Sequence, residues 1–271
     1  MTARRSRHLA TLDPVEVGDH VCWVTGPDED FAGTARAFAA DGALFGDKVL
    51  VIGSPEARWA PGGTARGVLV DPAAERPGWD AEAMLGLLRR EADTACRQGF
   101  RALRVLARMD RVWPEGASPQ EIARHELGLD SLVAGGAALV VCAYHRDAFR
   151  PGALEQAGAV HPQRLGGHRT PPAFRLFSVA PGCWGVSGVV DSEGAEAFRT
   201  ALGELFARSA TVRLRCEETE FMDAAGMRAL AEATRAVPGR RVLLEHANET
   251  VRRCWTLLGY DHPLIPVELT P

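Results

Sequence analysis

HVCWVTGPDEDFAGTARAFAADGALFGDKVLVIG, residues His20–Gly53, reads as strand, helix and strand in succession. HVCWVTG and KVLVIG are short apolar runs rich in β-branched residues, the pattern of strands covered on both faces. Between them Phe31, Ala35, Phe38 and Gly42 recur on one helical face. Two strands joined by such a crossover pair in parallel, so this stretch predicts an α/β domain with a mainly parallel sheet.

The pattern continues outward. After Gly53 a Pro- and Gly-rich segment surrounds one short strand, GVLV, and Asp80 is placed to cap the helix WDAEAMLGLLRREADTACRQ. Met84, Leu88, Glu91 and Ala95 line that helix before Gly99 ends it, and ALRVLARM follows as a strand. SPQE at Ser118–Glu121 has capping-box form with Pro119 at the first helical position, opening a helix to about Val133. ALVVCAYH is a further buried strand, and the chain from Arg150 begins a short helix that becomes Gly/Pro-rich and polar from about His161. A domain boundary is expected there, between 165 and 173, dividing the chain into 1–170 and 171–271.

Beyond the boundary come FRLFSVAP, WGVSGVVD, the helix EGAEAFRTALGELFARS and the strand TVRLRC. In that strand Val212, Leu214 and Cys216 alternate with Arg213, Arg215 and Glu217, so one face is buried. A turn is then expected to deliver Asp223 as the cap of the helix AAGMRALAEATRA, where Gly226 removes a Cβ at a close approach and Met227, Leu230, Ala231 and Thr234 continue the inward stripe. A strand RVLLEHA and a last helix NETVRRCWTLLGY complete about a hundred residues. An ordinary capped helix accounts for FMDAAGMRAL without any function.

Composition excludes several classes. The 271 residues, 46% hydrophobic, are enough for two domains. Thirty-one basic and 35 acidic residues are interleaved, with a formal charge of −4, so there is no basic stripe to neutralise phosphates and no direct nucleic-acid partner is expected. The basic N-terminus is followed by no apolar run of signal-peptide length, and no segment approaches the length of a membrane span, which predicts a cytoplasmic protein. Cys22, Cys96, Cys142, Cys183, Cys216 and Cys254 contain no C-x-x-C pair and read as reduced thiols, mostly buried.

A phosphate cradle needs Gly-x-x-x-x-Gly-Lys-Ser/Thr; TGPDEDFAGT keeps Gly26 and Gly33 but has no lysine and places Asp28, Glu29 and Asp30 where phosphates would sit. No G-x-S-x-G elbow, H-E-x-x-H helix or paired-carboxylate motif occurs, and Ser187 lies within a strand, so no catalytic residue and no enzymatic activity is expected. His20 and Cys22 share a strand face, and Cys142 and His145 lie on another strand; the spacings form no zinc signature, and neither metal nor cofactor is expected. A small organic ligand is accommodated at the carboxyl ends of the strands by His20, Trp23, Met109, Tyr144 and His145, the alternative being that these are core and rim residues. Trp113, in RVWPEG, reads as a loop anchor.

Residues 174–271 resemble a STAS domain, the module of bacterial anti-sigma factor antagonists. The resemblance rests on WGVSGVVDSEGAEAFRTAL, VRLRCEETEFMDAAGMRALAEA and NETVRRCWTLLGY in that order. It implies an α/β fold with helices on one side of a mixed sheet, and an anti-sigma factor or related kinase-like partner bound through Asp223, Ala224, Ala225, Gly226, Met227 and Arg228. In such antagonists the serine after the aspartate is phosphorylated to break the complex; here that position is Ala224, followed by Ala225, so no phosphoacceptor is present.

Residues 16–168 resemble the MEDS domain, a bacterial sensory module for small organic ligands related in pattern to RecA-like ATPases. The supporting residues are Gly18–Cys22, Phe38–Gly53, GFRALRV, His125-Glu126, VCAYHRDAF and His161-Pro162. Arg108-Met109 and Tyr144-His145 depart from the family's Glu-Met and Tyr-Asp pairs. The resemblance implies a three-layer domain and, with the STAS part, a signalling regulator whose sensor modulates partner binding, a role compatible with a homo-oligomer. Two rivals are a constitutive protein-binding scaffold and a degenerate nucleotide- or metal-binding protein.

Overall fold

The computed structural model describes residues 5–53, 68–70, 81–113, 116–166 and 173–270. The Asp80 cap and most of the Pro/Gly-rich segment lie outside these residues.

The βαβ reading holds: β2 (His20–Thr25), α1 (Phe31–Phe45) and β3 (Lys48–Ile52) form the expected unit. They belong to a seven-stranded sheet with β1 (Arg7–Leu9), β4 (Val68–Val70), β5 (Leu103–Arg108), β6 (Ala138–His145) and β7 (Gln163–Leu165), in the order β1-β7-β2-β6-β5-β3-β4. Every pairing is parallel. Alternation sorts the side chains: Val21, Trp23, Val49, Val51, Leu139 and Val141 pack with Phe38 of α1. Cys22, Val24, Leu50, Ile52, Cys142 and Tyr144 point to the other face, against α2 (Ala81–Arg97), α4 (Pro119–Ala134) and α5 (Pro151–Ala159). The result is three layers, with the short α3 (Met109–Val112) at the end of β5.

Local chemistry fixes the helix ends. Ser118 and Glu121 of α4 exchange side-chain and backbone hydrogen bonds in a full capping box with Pro119 at the first turn. The α1–β3 turn is held by Asp47, whose carboxylate receives Arg101 at 2.8 Å and Arg104 at 3.0 Å. Burial disfavours that charge, but the two guanidinium groups outweigh it and hold Asp47 below the usual carboxylate range.

The second sheet has five strands in the order β12-β11-β10-β9-β8: β8 (Phe174–Ala180), β9 (Cys183–Val190), β10 (Thr211–Met222), β11 (Arg241–Glu245) and β12 (Val267–Thr270). The β8–β9 hairpin is antiparallel and the other pairs are parallel, a mixed sheet. Helices α6 (Ala195–Arg208), α7 (Ala224–Ala236) and α8 (Glu249–Leu257) bury Phe198, Leu230 and Trp255 against it. The turn expected after Cys216 is instead more strand. β10 runs twelve residues in all, from Thr211 to Met222, because two register shifts let its polar second half keep pairing with Ser187–Val190.

The cores of the two sheets meet at α4 and the end of α5. Ala123 and Leu127 of α4, with Ala159 and Val160 at the end of α5, are fully buried in the same cluster as Phe174, Leu176 and Leu205. One helix, α4, therefore covers the first sheet with Ile122, Leu129 and Val133 and the second with Ala123 and Leu127.

Candidate functional site

Where β2 and β6 meet α4 and α5, the interior of the first unit is polar. His20, Glu126, Asp130, Cys142, Tyr144 and His161 are all completely buried. Glu126 is the hub: Oε2 lies 3.1 Å from His20 Nε2, 3.2 Å from His161 Nε2 and 3.4 Å from Cys142 Sγ, while Oε1 accepts the Tyr144 hydroxyl. His20 Nδ1 is 3.2 Å from Asp130 Oδ1, and His161 Nδ1 is 2.6 Å from the Ala157 carbonyl. The other Asp130 oxygen accepts the Ser178 backbone N–H on β8, so a carboxylate of α4 joins the buried cluster to the second sheet.

Burying charge is costly, and the cluster answers it by pairing. Burial works against Glu126, yet His161, His20 and His125 hold it well below the normal carboxylate range. Burial also opposes a charged His20, but Asp130 and Glu126 raise its pKa; His161 is lowered, by burial and then by His20. Burial and Glu126 push Cys142 and Tyr144 far up, and Cys22 beside them to about 12.

A second feature is a groove of about 190 Å³ at the carboxyl ends of β2, β5 and β6, lined by Thr25, Gly26, Glu29, Phe31, Arg108 and His145 among others. Arg108 pairs with Asp110 at 2.8 Å and lies 5.2 Å over the Phe31 ring, which stacks on Trp23 at 5.6 Å. The loop after β2 uses its own carboxylates as acceptors: Gly26 N–H donates to Glu29 at 2.9 Å and Gly33 N–H to Asp30 at 2.8 Å. The amides of the two glycines that the phosphate-cradle pattern retains are thereby engaged.

A third feature is the start of α7. Asp223 Oδ1 accepts from the Ala225 and Gly226 amides at 2.7 and 2.9 Å, and Oδ2 accepts from Ser192 N–H at 3.0 Å, tying the β9–α6 turn to the α7 cap. A Cβ on Gly226 would stand 2.5 Å from the Val190 carbonyl oxygen. The close neighbour that this glycine admits is therefore the chain's own β9.

Residues 19–162, more than half of the chain, match the family model described as MEDS, the methanogen/methylotroph DcmR sensory domain. The chain belongs to the MEDS family. Residues 185–268 match the Mlab-type STAS domain model, so a sensory-type unit is followed by a STAS unit. Among solved structures, the anti-sigma factor antagonist SpoIIAA in its unphosphorylated form is similar at 18% identity, over 36% of this chain and 88% of that one, with a TM-score of 0.29. No curated protein matches. Among the described residues no helix is long and apolar enough to cross a membrane.

Within the MEDS unit the five residues expected to line one ligand site are not together. His20 and Tyr144 belong to the buried cluster; Trp23 is on the opposite sheet face, Met109 is buried in the core beside α2 and α4, and His145 lines the groove. Parity explains the separation, since His145 is an odd number of residues from Cys142 and so points to the other face. Of His20, Cys22, Cys142 and His145, the structure brings His20 and Cys142 together, joined not by Cys22 and His145 but by Glu126 and His161. Both appear in the motifs that carry the resemblance, but their convergence depends on how α4 and α5 dock.

On the STAS unit, Ala224 and Arg228 are exposed, Asp223 and Ala225 are half-buried, and Gly226 and Met227 are in the core. Phe221, at 41% exposure, adds an apolar side chain at the same end, one that sequence reasoning passed over.

Proposed function

We propose that this chain is a non-enzymatic signalling regulator. Its MEDS unit is the input, taking a small organic ligand in the groove at the strand ends, and its STAS unit is the output. The output face is Phe221, Asp223, Ala224, Ala225 and Arg228, and its partner is an anti-sigma factor of the kinase-like class. The observation that carries this reading is the double use of α4, whose Asp130 bridges His20 and the Ser178 amide while Ala123 and Leu127 sit in the STAS core. A ligand that favours one placement of α4 thereby acts on β8, and coupling of ~1–3 kcal/mol is the usual scale for such linkage.

Ala224 is exposed at the first turn of α7, where a phosphoserine would add nearly two negative charges beside the half-buried Asp223 carboxylate. With alanine there, the partner is held without release by phosphorylation. The test uses purified anti-sigma kinases encoded in the same genome, with the full chain and ATP. Wild type is expected to stay bound, Arg228→Glu to lose binding, and Ala224→Ser to be phosphorylated and released. Failure of every such kinase to bind wild type would refute the partner assignment.

A further inference from the structure

The Glu126 hub has the dimensions of a coordination polyhedron. Its Oε2 is 3.1 Å from His20 Nε2, 3.2 Å from His161 Nε2 and 3.4 Å from Cys142 Sγ, and Cys142 Sγ is 3.7 Å from His20 Nε2. All four atoms lie within 4.8 Å of one another. A tetrahedral site with bonds of about 2.0 Å to nitrogen or oxygen and about 2.3 Å to sulfur has edges of roughly 3.3–3.5 Å.

The surroundings orient these atoms for a cation. Asp130 Oδ1 and the Ala157 carbonyl are acceptors at the two Nδ1 atoms, which places the ring protons there and turns both Nε2 lone pairs toward Glu126 Oε2. Tyr144 takes the other carboxylate oxygen and leaves Oε2 to the centre. A proton on His20 Nε2 would answer only one of these contacts, and the completely buried His161 Nε2 makes no aligned hydrogen bond. Two imidazole lone pairs and a thiol sulfur converging on one carboxylate oxygen, each aimed by a second partner or by its strand, are the arrangement of a ligand shell.

We propose that His20 Nε2, Glu126 Oε2, Cys142 Sγ and His161 Nε2 bind one divalent transition-metal ion of the zinc class. One thiolate, two imidazoles and one carboxylate suit that class by softness and geometry. On binding, the Cys142 thiol gives its proton to solvent, and thiolate and carboxylate together offset the two charges of the ion; no electron is transferred. All four positions come from the protein, two from adjacent strands, one from α4 and one just after α5, so the site is closed and its role is to fasten α4 to the sheet. The inference stands whether or not the STAS unit binds the proposed partner.

The full chain, purified without a chelator or a polyhistidine tag, is analysed by plasma mass spectrometry, and the apo form is titrated with cobalt(II). About one metal per chain is expected, with the thiolate-to-cobalt charge-transfer band and strong d–d bands of a tetrahedral site. The charge-transfer band should persist in Cys22→Ser and vanish in Cys142→Ser, while His161→Gln should weaken cobalt affinity by about 100-fold or more. Absence of copurified metal together with no charge-transfer band in reconstituted wild type overturns the proposal, and that spectrum needs no variant to fold. Persistence of the band in Cys142→Ser overturns the ligand assignment.

Discussion

Removing the Asp130 carboxylate tests whether the buried cluster is a sealed unit. Its two oxygens face His20 Nδ1 at 3.2 Å and the Ser178 backbone N–H, with Asp130 wholly buried. Asp130→Ala leaves both donors without this acceptor in a site closed to water. At about 1–3 kcal/mol for each orphaned buried group, the cost is ~2–6 kcal/mol. Asp130→Asn keeps one acceptor: with its carbonyl toward Ser178, its NH₂ meets His20 Nδ1, which must then shift its proton, so the loss falls to ~1–3 kcal/mol. Urea unfolding of the full chain measures both. With a slope near 2–3 kcal/mol/M, a loss of about 4 kcal/mol lowers the midpoint by roughly 1.5 M at unchanged slope. Hydrogen exchange at the Ser178 amide should rise in Asp130→Ala before it rises elsewhere in β8. A midpoint for Asp130→Ala within about 0.2 M of wild type would mean that the bridge contributes nothing net, and the reasoning would fail.

Three further outcomes follow from named contacts. Leu127→Ala, at a fully buried position where α4 enters the core of the second sheet, should cost ~2–5 kcal/mol and lower the thermal midpoints of MEDS and STAS probes together, because α4 also covers the first sheet; loss confined to one unit would contradict that coupling. Gly226→Ala gains about 1 kcal/mol of helix propensity, but its Cβ meets the Val190 carbonyl oxygen at 2.5 Å, a backbone contact that cannot rotate away, so a net loss of ~1–3 kcal/mol is expected in chemical denaturation. Asp47 has a folded pKa lowered below its unfolded value near ~3.9, so its contribution is complete above that value and is lost as pH falls through the folded pKa. Asp47→Asn should therefore lower stability at neutral pH and flatten its decline in acid, read from urea midpoints between about pH 5 and pH 2.5.

The parts of the fold legible in the sequence are those whose signal is local. The His20–Gly53 unit is fixed by two apolar runs and one helical stripe, and Ser118-Pro-Gln-Glu121 announces α4 by the chemistry of its own first turn. The three- and four-residue strands β1, β7 and β12 have no such signal, because their pairing is decided by neighbours distant in sequence. Glu218–Met222 reads as a turn for the same reason: its polar residues stay in strand form through register-shifted pairing with β9. Part of the buried cluster follows from parity, since His20 and Cys22 share a face of β2 and Cys142 and Tyr144 the same sheet face on β6, although the expected association of Cys142 with His145 breaks that parity. Glu126 and Asp130 were not, because acidic residues four apart on a helix ordinarily mark its solvent side. Here they occupy the buried stripe with Ile122, Leu129 and Val133, and only the docking of His20, Tyr144 and Ser178 makes that tolerable.

That placement also bears on how one unit can influence the other. A helix that packs against two sheets through apolar contacts alone can slide by small steps with little preference, whereas buried hydrogen bonds to charged groups allow few positions. On α4, Glu126 registers the helix against β2 and β6, and four residues later Asp130 registers it against both His20 and β8. Ala123 and Leu127, on the adjoining stripe, carry any shift directly into the core beneath β8 and α6. An event that changes the charge at the Glu126 hub, such as a dication replacing protons, therefore alters a helix whose position bears on both cores. By linkage, a STAS partner that prefers one position of α4 must change the affinity of the hub for its cation by the same factor. Metal affinity measured by competition with a chromophoric chelator, with and without saturating partner, gives that factor; equal affinities would mean that the two sites are uncoupled and that α4 is a rigid spacer.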